Sequence, residues 1–92
     1  PIALVEADGT PSMAIGNVFT QGNGSAQNIT AYDHLDAWQE YSVRFTTANT
    51  TLIDGANLQL AGSTNYNPPA NTIMVFRSDD GTALYEVSRS NN

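Results

Sequence analysis

Short apolar segments separated by clusters of Gly, Asn, Asp, Pro and Ser follow one another along the whole chain. This spacing is typical of a β-sandwich or barrel, and the sequence signals of helices are almost absent. The clearest half-buried strand is at residues 41–45, where Tyr41, Val43 and Phe45 alternate with Ser42 and Arg44. The pattern predicts an all-β fold, a small antiparallel β-sandwich of the jelly-roll type.

Turn residues divide the rest of the chain into further strands, predicted at residues 2–5, 14–20, 28–32, 51–53, 58–60, 72–77 and 83–89. Asp54-Gly55 favours a type I′ reversal between two of them, because both central residues of that turn need a positive φ. Residues 78–82 predict a C-terminal hairpin whose first strand is apolar on both faces. Residues 33–39 and the proline-containing residues 62–71 are expected to be loops.

The length and the charge limit what the chain can do. Ninety-two residues correspond to one domain, residues 1–92, and a domain this small gains hydrophobic core from partner subunits. The net charge is −6, with three Arg and no Lys, which disfavours nucleic acid, anionic membranes and anionic polysaccharides as partners. No apolar run approaches the roughly 20 residues of a membrane span. The lack of Cys excludes disulfides.

One cluster, formed by Asp33, His34 and Asp36, has residue types suited to acid–base chemistry. No Gly-x-Ser-x-Gly motif accompanies it, so a polar loop explains these residues better than a catalytic site does. Asp79 and Asp80, and likewise Asp33 and Asp36, offer oxygen ligands for Ca²⁺, but turn formation accounts for both pairs and their spacing is not that of an EF-hand. The sequence therefore predicts no catalytic residue, no metal and no cofactor.

Three aromatic residues, Trp38, Tyr66 and Tyr32, are candidates for contact with a glycan. A flat ring can pack against the C–H face of a pyranose while polar neighbours bond the sugar hydroxyls. Burial in a core or a subunit interface is nevertheless the preferred interpretation of these rings. The strand residues expected in the core or at a trimer interface are Tyr41, Val43, Phe45, Leu58, Leu60, Ile73, Val75 and Phe76.

Five motifs occur in order along the chain: residues 18–20 (VFT), 28–32 (NITAY), 41–45 (YSVRF), 50–62 and 84–90 (LYEVSRS). With them the sequence resembles the small C-terminal β-sandwich domains of bacteriophage tailspikes. It departs from that family at the turn before the central strand, where a Gly is expected, and at Leu84, where Trp is common. The resemblance implies a homotrimer formed by the C-terminal piece of a longer chain, on the phage tail and outside the host cell.

The leading hypothesis is a non-enzymatic cap that keeps three tailspike chains in register, with contact to host surface polysaccharide as an additional role. Its apolar strand faces would serve both the chain's own core and the threefold interface. One alternative is an independent carbohydrate-binding module with Trp38 and Tyr66 as its platform. Another is a capsid decoration protein or other structural virion protein.

Overall fold

The computed structural model describes residues 1–91 and contains strands connected by turns and loops, with no α-helix among those residues. The expected all-β class is confirmed. The strands are β1 (Ile2–Ala3), β2 (Val18–Gln21), β3 (Gln27–Ile29), β4 (Gln39–Phe45), β5 (Thr50–Leu52), β6 (Leu58–Gln59), β7 (Thr72–Ser78) and β8 (Leu84–Ser90). A single 3₁₀ turn, Ala61–Ser63, follows β6.

The strands form one six-stranded sheet, in the order β1-β2-β4-β7-β8-β6, and a second sheet of β3 and β5. The prediction of an antiparallel sandwich holds for the pairs β4–β7 and β7–β8. It is wrong for the other pairs, because β1 with β2, β2 with β4, β3 with β5 and β6 with β8 run parallel. Between β2 and β4 the chain leaves the large sheet, forms β3 in the small sheet and then continues through the connection at residues 30–38. A crossover of this kind returns the chain to the same end of the sheet, which makes β2 and β4 parallel.

The C-terminal hairpin is confirmed: β7 and β8 pair antiparallel, with one irregularity between Val75 and Phe76. Side chains close its turn, since Ser78 Oγ accepts a hydrogen bond of 3.0 Å from the Gly81 N–H. The carboxylate of Asp80 accepts two more backbone N–H groups, at 2.9 and 3.0 Å. These bonds hold the pKa of Asp80 below its usual value. Local turn chemistry and strand periodicity agree here, so the sequence alone locates the hairpin.

The predicted type I′ reversal at Asp54-Gly55 is wrong. β5 and β6, which flank it, belong to different sheets, and the glycines with positive φ are Gly62 and Gly81. Asp54 instead accepts a hydrogen bond of 2.8 Å from the Leu60 N–H through its carboxylate. Leu52 and Leu58 are both fully buried. Burying each of them against a different part of the core takes precedence over the local preference of the dipeptide for a hairpin.

The core lies between the inner face of the six-stranded sheet and a second layer, which consists of the β3–β5 sheet and the loops around it. The large sheet contributes the side chains that alternate inward along its central strands, while Ile29 and Leu52 come from the small sheet. The buried apolar cluster is Leu4, Met13, Phe19, Ile29, Tyr32, Leu35, Tyr41, Val43, Phe45, Leu52, Leu58, Leu60, Met74, Phe76 and Leu84. On the opposite face of the large sheet, the part of the chain that the structure describes forms no second layer.

Candidate functional site

The eight residues expected in the core or at a trimer interface divide into two groups. Six of them are buried in the chain's own core: Tyr41, Val43, Phe45, Leu58, Leu60 and Phe76. The other two, Ile73 and Val75, point to the uncovered face of the large sheet, where Ile73 is 38% exposed. Six of the eight residues thus lie in the core, and Ile73 and Val75 are the two whose side chains are available for an interface, since a side chain enclosed within the fold cannot also contact another subunit.

The uncovered face of the large sheet, called the open face below, has two complete rows of side chains across four strands. The strand register defines them as Val18–Ser42–Val75–Ser88 and Thr20–Arg44–Ile73–Ser90. Arg44 is the single charged residue in these rows, and its guanidinium donates a hydrogen bond of 2.8 Å to Asn71. Apart from Arg44, the rows therefore consist of aliphatic side chains and small hydroxyls, and a scarcity of charge is typical of the core of protein interfaces.

A third row of the open face, Glu40–Arg77–Tyr85, is more polar and lies toward the β7–β8 turn. Val87, at the irregular part of β8, is 57% exposed, and Val18 is 51% exposed. Apolar exposure on this sheet thus extends beyond the two central rows. With four strands about 4.8 Å apart and strands about 20 Å long, the open face covers about 300 Å². This area includes the polar side chains of the rows, so its apolar part is smaller.

The loop predicted at residues 33–39 is confirmed over residues 33–38, since Gln39 begins β4, and it carries the acid–base cluster. Asp33 pairs with Ser12 in an isolated parallel bridge, which brings Ser12 Oγ to 2.8 Å from Nδ1 of His34. Ser12 and His34 are 22 residues apart in the chain. Sequence reasoning missed this contact, and no local pattern could have indicated it, because the pairing of the two loops creates it.

The Ser12–His34 pair lacks the partners that nucleophilic catalysis needs. The backbone N–H of Met13 donates to the carbonyl of Asp33 at 2.9 Å, and that of Ala14 donates to Ser12 Oγ at 3.3 Å. Neither N–H is thus directed at an incoming oxyanion. Within residues 1–91 no carboxylate is hydrogen-bonded to His34. The contact is therefore explained as a polar link between two loops.

Trp38 ends the same loop, immediately before β4, with a φ of 64° and a side chain that is 71% exposed. The guanidinium of Arg77 lies 5.4 Å from the centre of its ring, and Arg77 also forms an ion pair of 2.9 Å with Asp79. These neighbours hold the indole at the end of the open face, beside the β7–β8 turn. Of the three aromatic candidates for glycan contact, Trp38 is the one that is largely exposed.

A shallow groove of about 320 Å³ lies between the loop before β2 and the loop before β4. It is lined by Ala14, Gly16, Asn17, Asp36 and Gln39, so amide and carboxylate groups dominate its surface. Sequence reasoning did not select Asn17 or Gln39, because their side chains meet Asp36 only after the two loops have been placed side by side. Trp38 lies between two lining residues of this groove in the chain.

Tyr32 is corrected as a candidate for glycan contact, because it is buried at 2% exposure in the core. Its hydroxyl donates a hydrogen bond of 2.6 Å to Gln21 Oε1. Burial raises the pKa of the Tyr32 phenol well above its usual value, so the hydroxyl keeps its proton and remains a donor. Its role is structural.

Tyr66 is half-buried, and the guanidinium of Arg89 covers its ring at 3.6 Å from the ring centre. Arg89 also binds Glu86 with two hydrogen bonds of 2.6 and 2.7 Å, which hold the pKa of Glu86 below its usual value. Arg89 lies opposite Met74 on the inner side of the sheet, whereas Arg77 lies on the open face. The expected platform of Trp38 and Tyr66 is therefore not formed, because the two rings lie against opposite faces and different ends of the hairpin.

Comparisons of the chain with known protein families, characterised proteins and solved structures find no match. Among residues 1–91 no helix is long and apolar enough to cross a bilayer. In that part of the chain no three acidic or His side chains are grouped where they could hold a metal ion. The functional proposal therefore depends on the geometry of the open face, together with the sequence resemblance.

Proposed function

We propose that this chain is a non-enzymatic self-association module, which forms a homotrimeric cap of the kind that terminates phage tailspikes. The open face carries the proposal: it presents Val18, Ile73 and Val75 beside small hydroxyl residues, and none of residues 1–91 forms a layer over it. The threefold state, the distal position on a tailspike and the location on the virion come from the sequence resemblance. The cap keeps three chains in register.

Burial of the open face supplies the energy of association. Burial of a fully exposed Val or Ile side chain contributes about 1.5–3 kcal/mol. Val18 is 51% exposed and Ile73 is 38% exposed in the single chain, so each gains about half of that or less on association. The Ser and Thr residues between them lose little rotamer freedom when they are ordered, in contrast to Lys or Glu. The open face therefore gains apolar contact on association without ordering many long charged side chains.

The edges of the large sheet favour association through its face. β1 and β6, the two edge strands, are two residues long each. Very short edge strands leave few backbone groups free for pairing with another sheet, which is a common protection against edge-to-edge aggregation. A defined oligomer thus forms more readily through the side chains of the open face than through extension of the sheet.

Sedimentation equilibrium of the isolated chain tests the proposal. We expect a trimer at micromolar concentration, and a monomer when Ile73→Lys and Val18→Lys are combined, because two charges would then be desolvated in the interface. Ile15→Lys is the matched control, since Ile15 is 77% exposed but lies in a loop outside the sheet. A wild-type monomer at that concentration, or a trimer that survives the double substitution, would contradict the proposal.

A further inference from the structure

We infer that Asn23 is a covalent modification site, at which the side chain is deamidated by attack of the Gly24 nitrogen, and that the folded chain keeps this site closed with the carboxylate of Glu6. Asn23-Gly24 is the single Asn-Gly dipeptide of the sequence. The dipeptide favours this reaction because glycine has no Cβ to hinder the approach of its nitrogen to the asparagine side chain. The groups involved belong to loops of one chain, so the inference does not depend on trimer formation.

The deamidation needs no reagent other than water. The Gly24 nitrogen bonds to Cγ of Asn23, and the bond from Cγ to Nδ2 breaks. The leaving NH₂ group takes the proton of the Gly24 nitrogen and departs as ammonia. Water then opens the five-membered succinimide at one of its two carbonyl carbons. The product is aspartate, or isoaspartate when the main chain continues through the former side chain, and either product adds one negative charge.

The side chain of Asn23 is fixed on both of its polar atoms. It is 2% exposed, its Oδ1 accepts a hydrogen bond of 3.0 Å from the Ala7 N–H, and its Nδ2 donates one of 2.8 Å to Thr50 Oγ1. Attack changes Cγ from planar to tetrahedral and releases Nδ2, so the bond to Thr50 must break. Loss of buried hydrogen bonds is costly, and the folded structure therefore opposes the reaction.

The attacking nitrogen is also engaged. The Gly24 N–H donates a hydrogen bond of 2.8 Å to Glu6 Oε1. Attack requires the nitrogen to give up this proton, and a hydrogen bond to a carboxylate favours the N–H form more strongly than one to a neutral acceptor does. Glu6 lies between β1 and β2, 18 residues before Gly24. The protection thus comes from a contact between distant parts of the chain.

The main chain of Asn23 is attached to a third loop. Its carbonyl accepts hydrogen bonds from Thr47 Oγ1 at 3.1 Å and from Asn49 Nδ2 at 2.8 Å. Thr47 and Asn49 lie between β4 and β5, so the β1–β2, β2–β3 and β4–β5 connections all meet at Asn23. The site opens only when these loops separate. The rate of deamidation therefore follows the population of that locally open state.

The modification prevents the site from closing again. In the aspartate product an oxygen replaces the Nδ2 donor that faces Thr50, and a negative charge occupies a buried position on the loop that the Glu6 carboxylate binds. In the isoaspartate product the main chain is one carbon atom longer. Both products disfavour the closed arrangement, because a buried charge without a partner is costly. Deamidation at Asn23 is thus an irreversible consequence of loop opening.

Peptide mapping by mass spectrometry, in mildly alkaline buffer with and without guanidinium chloride, tests the inference. We expect Asn23 to react faster than the other Asn residues in the denatured chain, and at least about tenfold more slowly in the folded chain. Gly24→Ala should slow the reaction of the denatured chain. The fold accepts this change, because Gly24 has no positive φ and the nearest atom to an added Cβ is Glu6 Oε1 at 3.5 Å.

Variants of Glu6 provide the second part of the test. Glu6→Ala should raise the rate at Asn23 in the folded chain by at least about threefold, as expected for the loss of one hydrogen bond. Glu6→Gln keeps an oxygen that can accept the same bond and should keep most of the protection. Glu40→Ala is the matched control, since Glu40 is also an exposed glutamate but lies in β4, and it should leave the rate unchanged. Circular dichroism shows whether each variant is folded.

The inference is overturned if Asn23 reacts equally fast in the folded and the denatured wild-type chain, or if folded Glu6→Ala leaves the rate unchanged. An acceleration by Glu40→Ala as large as that by Glu6→Ala would also overturn it. If Glu6→Ala does not fold, the comparison of folded with denatured wild-type chain decides the outcome, together with the rate of Glu6→Gln.

Discussion

Tyr32 and Gln21 form a polar pair deep in an otherwise apolar core. Tyr32 donates to Gln21 Oε1 at 2.6 Å, and its ring packs near that of Phe76 at 6.2 Å between centres. The Nε2 group of Gln21 is buried and has no protein partner within residues 1–91. Both N–H donors of the amide are therefore unsatisfied, and the bond from Tyr32 to Oε1 is the one hydrogen bond that the buried amide forms among these residues.

Removal of one partner of this pair should cost more stability than removal of both. Tyr32→Phe leaves the whole Gln21 amide without a partner and should lower the free energy of unfolding by about 1–3 kcal/mol. Gln21→Leu added to it replaces the second polar group by an apolar one and should recover most of that loss. Urea unfolding of the two single variants and the double variant measures this. If the stability losses of the two single variants simply add in the double variant, the explanation is wrong.

At the scale of elements, two Asp-Gly dipeptides behave differently. Gly81, in the β7–β8 turn, has a φ of 81°, and a Cβ there would lie 3.2 Å from the carbonyl oxygen of Leu35. Gly55 follows Asp54 but has no positive φ, and open space surrounds the position of its missing Cβ. The same local signal therefore produces a hairpin turn at one site and an ordinary loop at the other.

Substitution of the two glycines should separate these cases. Gly81→Ala places a side chain in the left-handed region and against the backbone of the 33–38 loop, and should cost about 1–2 kcal/mol of stability. Gly55→Ala is the matched control and should change stability by less than about 1 kcal/mol, in either direction, because it only restricts the unfolded chain. Thermal unfolding of both variants is the measurement. Equal effects would show that the turn at Gly81 does not require glycine.

At the scale of the whole molecule, the hydrophobic core is closed within one chain. Fifteen apolar residues form it, and the six-stranded sheet and the β3–β5 layer enclose them. The expectation that three chains complete one another's core is therefore corrected: association can use the open face, but it is not needed to bury residues such as Phe45 or Leu58. If chains associate through the open face, folding and assembly are therefore separable steps.

The separation of folding from assembly predicts the behaviour of the melting temperature. If trimers form through the open face, the Tm of the wild-type chain should rise with protein concentration, because association stabilises the folded state by mass action. The chain with Ile73→Lys and Val18→Lys should remain folded, with a lower Tm that does not depend on concentration. Calorimetry over about a hundredfold range of protein concentration measures the Tm of both chains. Unfolding of the monomeric variant at all temperatures would show that the core does depend on assembly.

Predictions from the sequence succeeded where the physical cause is local. The alternation of Tyr41, Val43 and Phe45 placed these residues inward, and the turn at residues 78–82 located the hairpin. Predictions failed where distant segments compete for the same core. The polarity and size of Tyr32 and Trp38 do not reveal that one is buried and the other exposed, because that depends on which loops pack over them.

The sequence by itself determined the β class, the C-terminal hairpin and the apolar character of both faces of β7, because side-chain alternation and turn chemistry act over a few neighbouring residues. The tertiary structure alone decided the parallel pairing of β2 with β4, the loop at Gly55, the Ser12–His34 contact and the groove beside Trp38. These features arise from competition among distant segments for burial and for hydrogen-bond partners, and no short stretch of sequence contains that information.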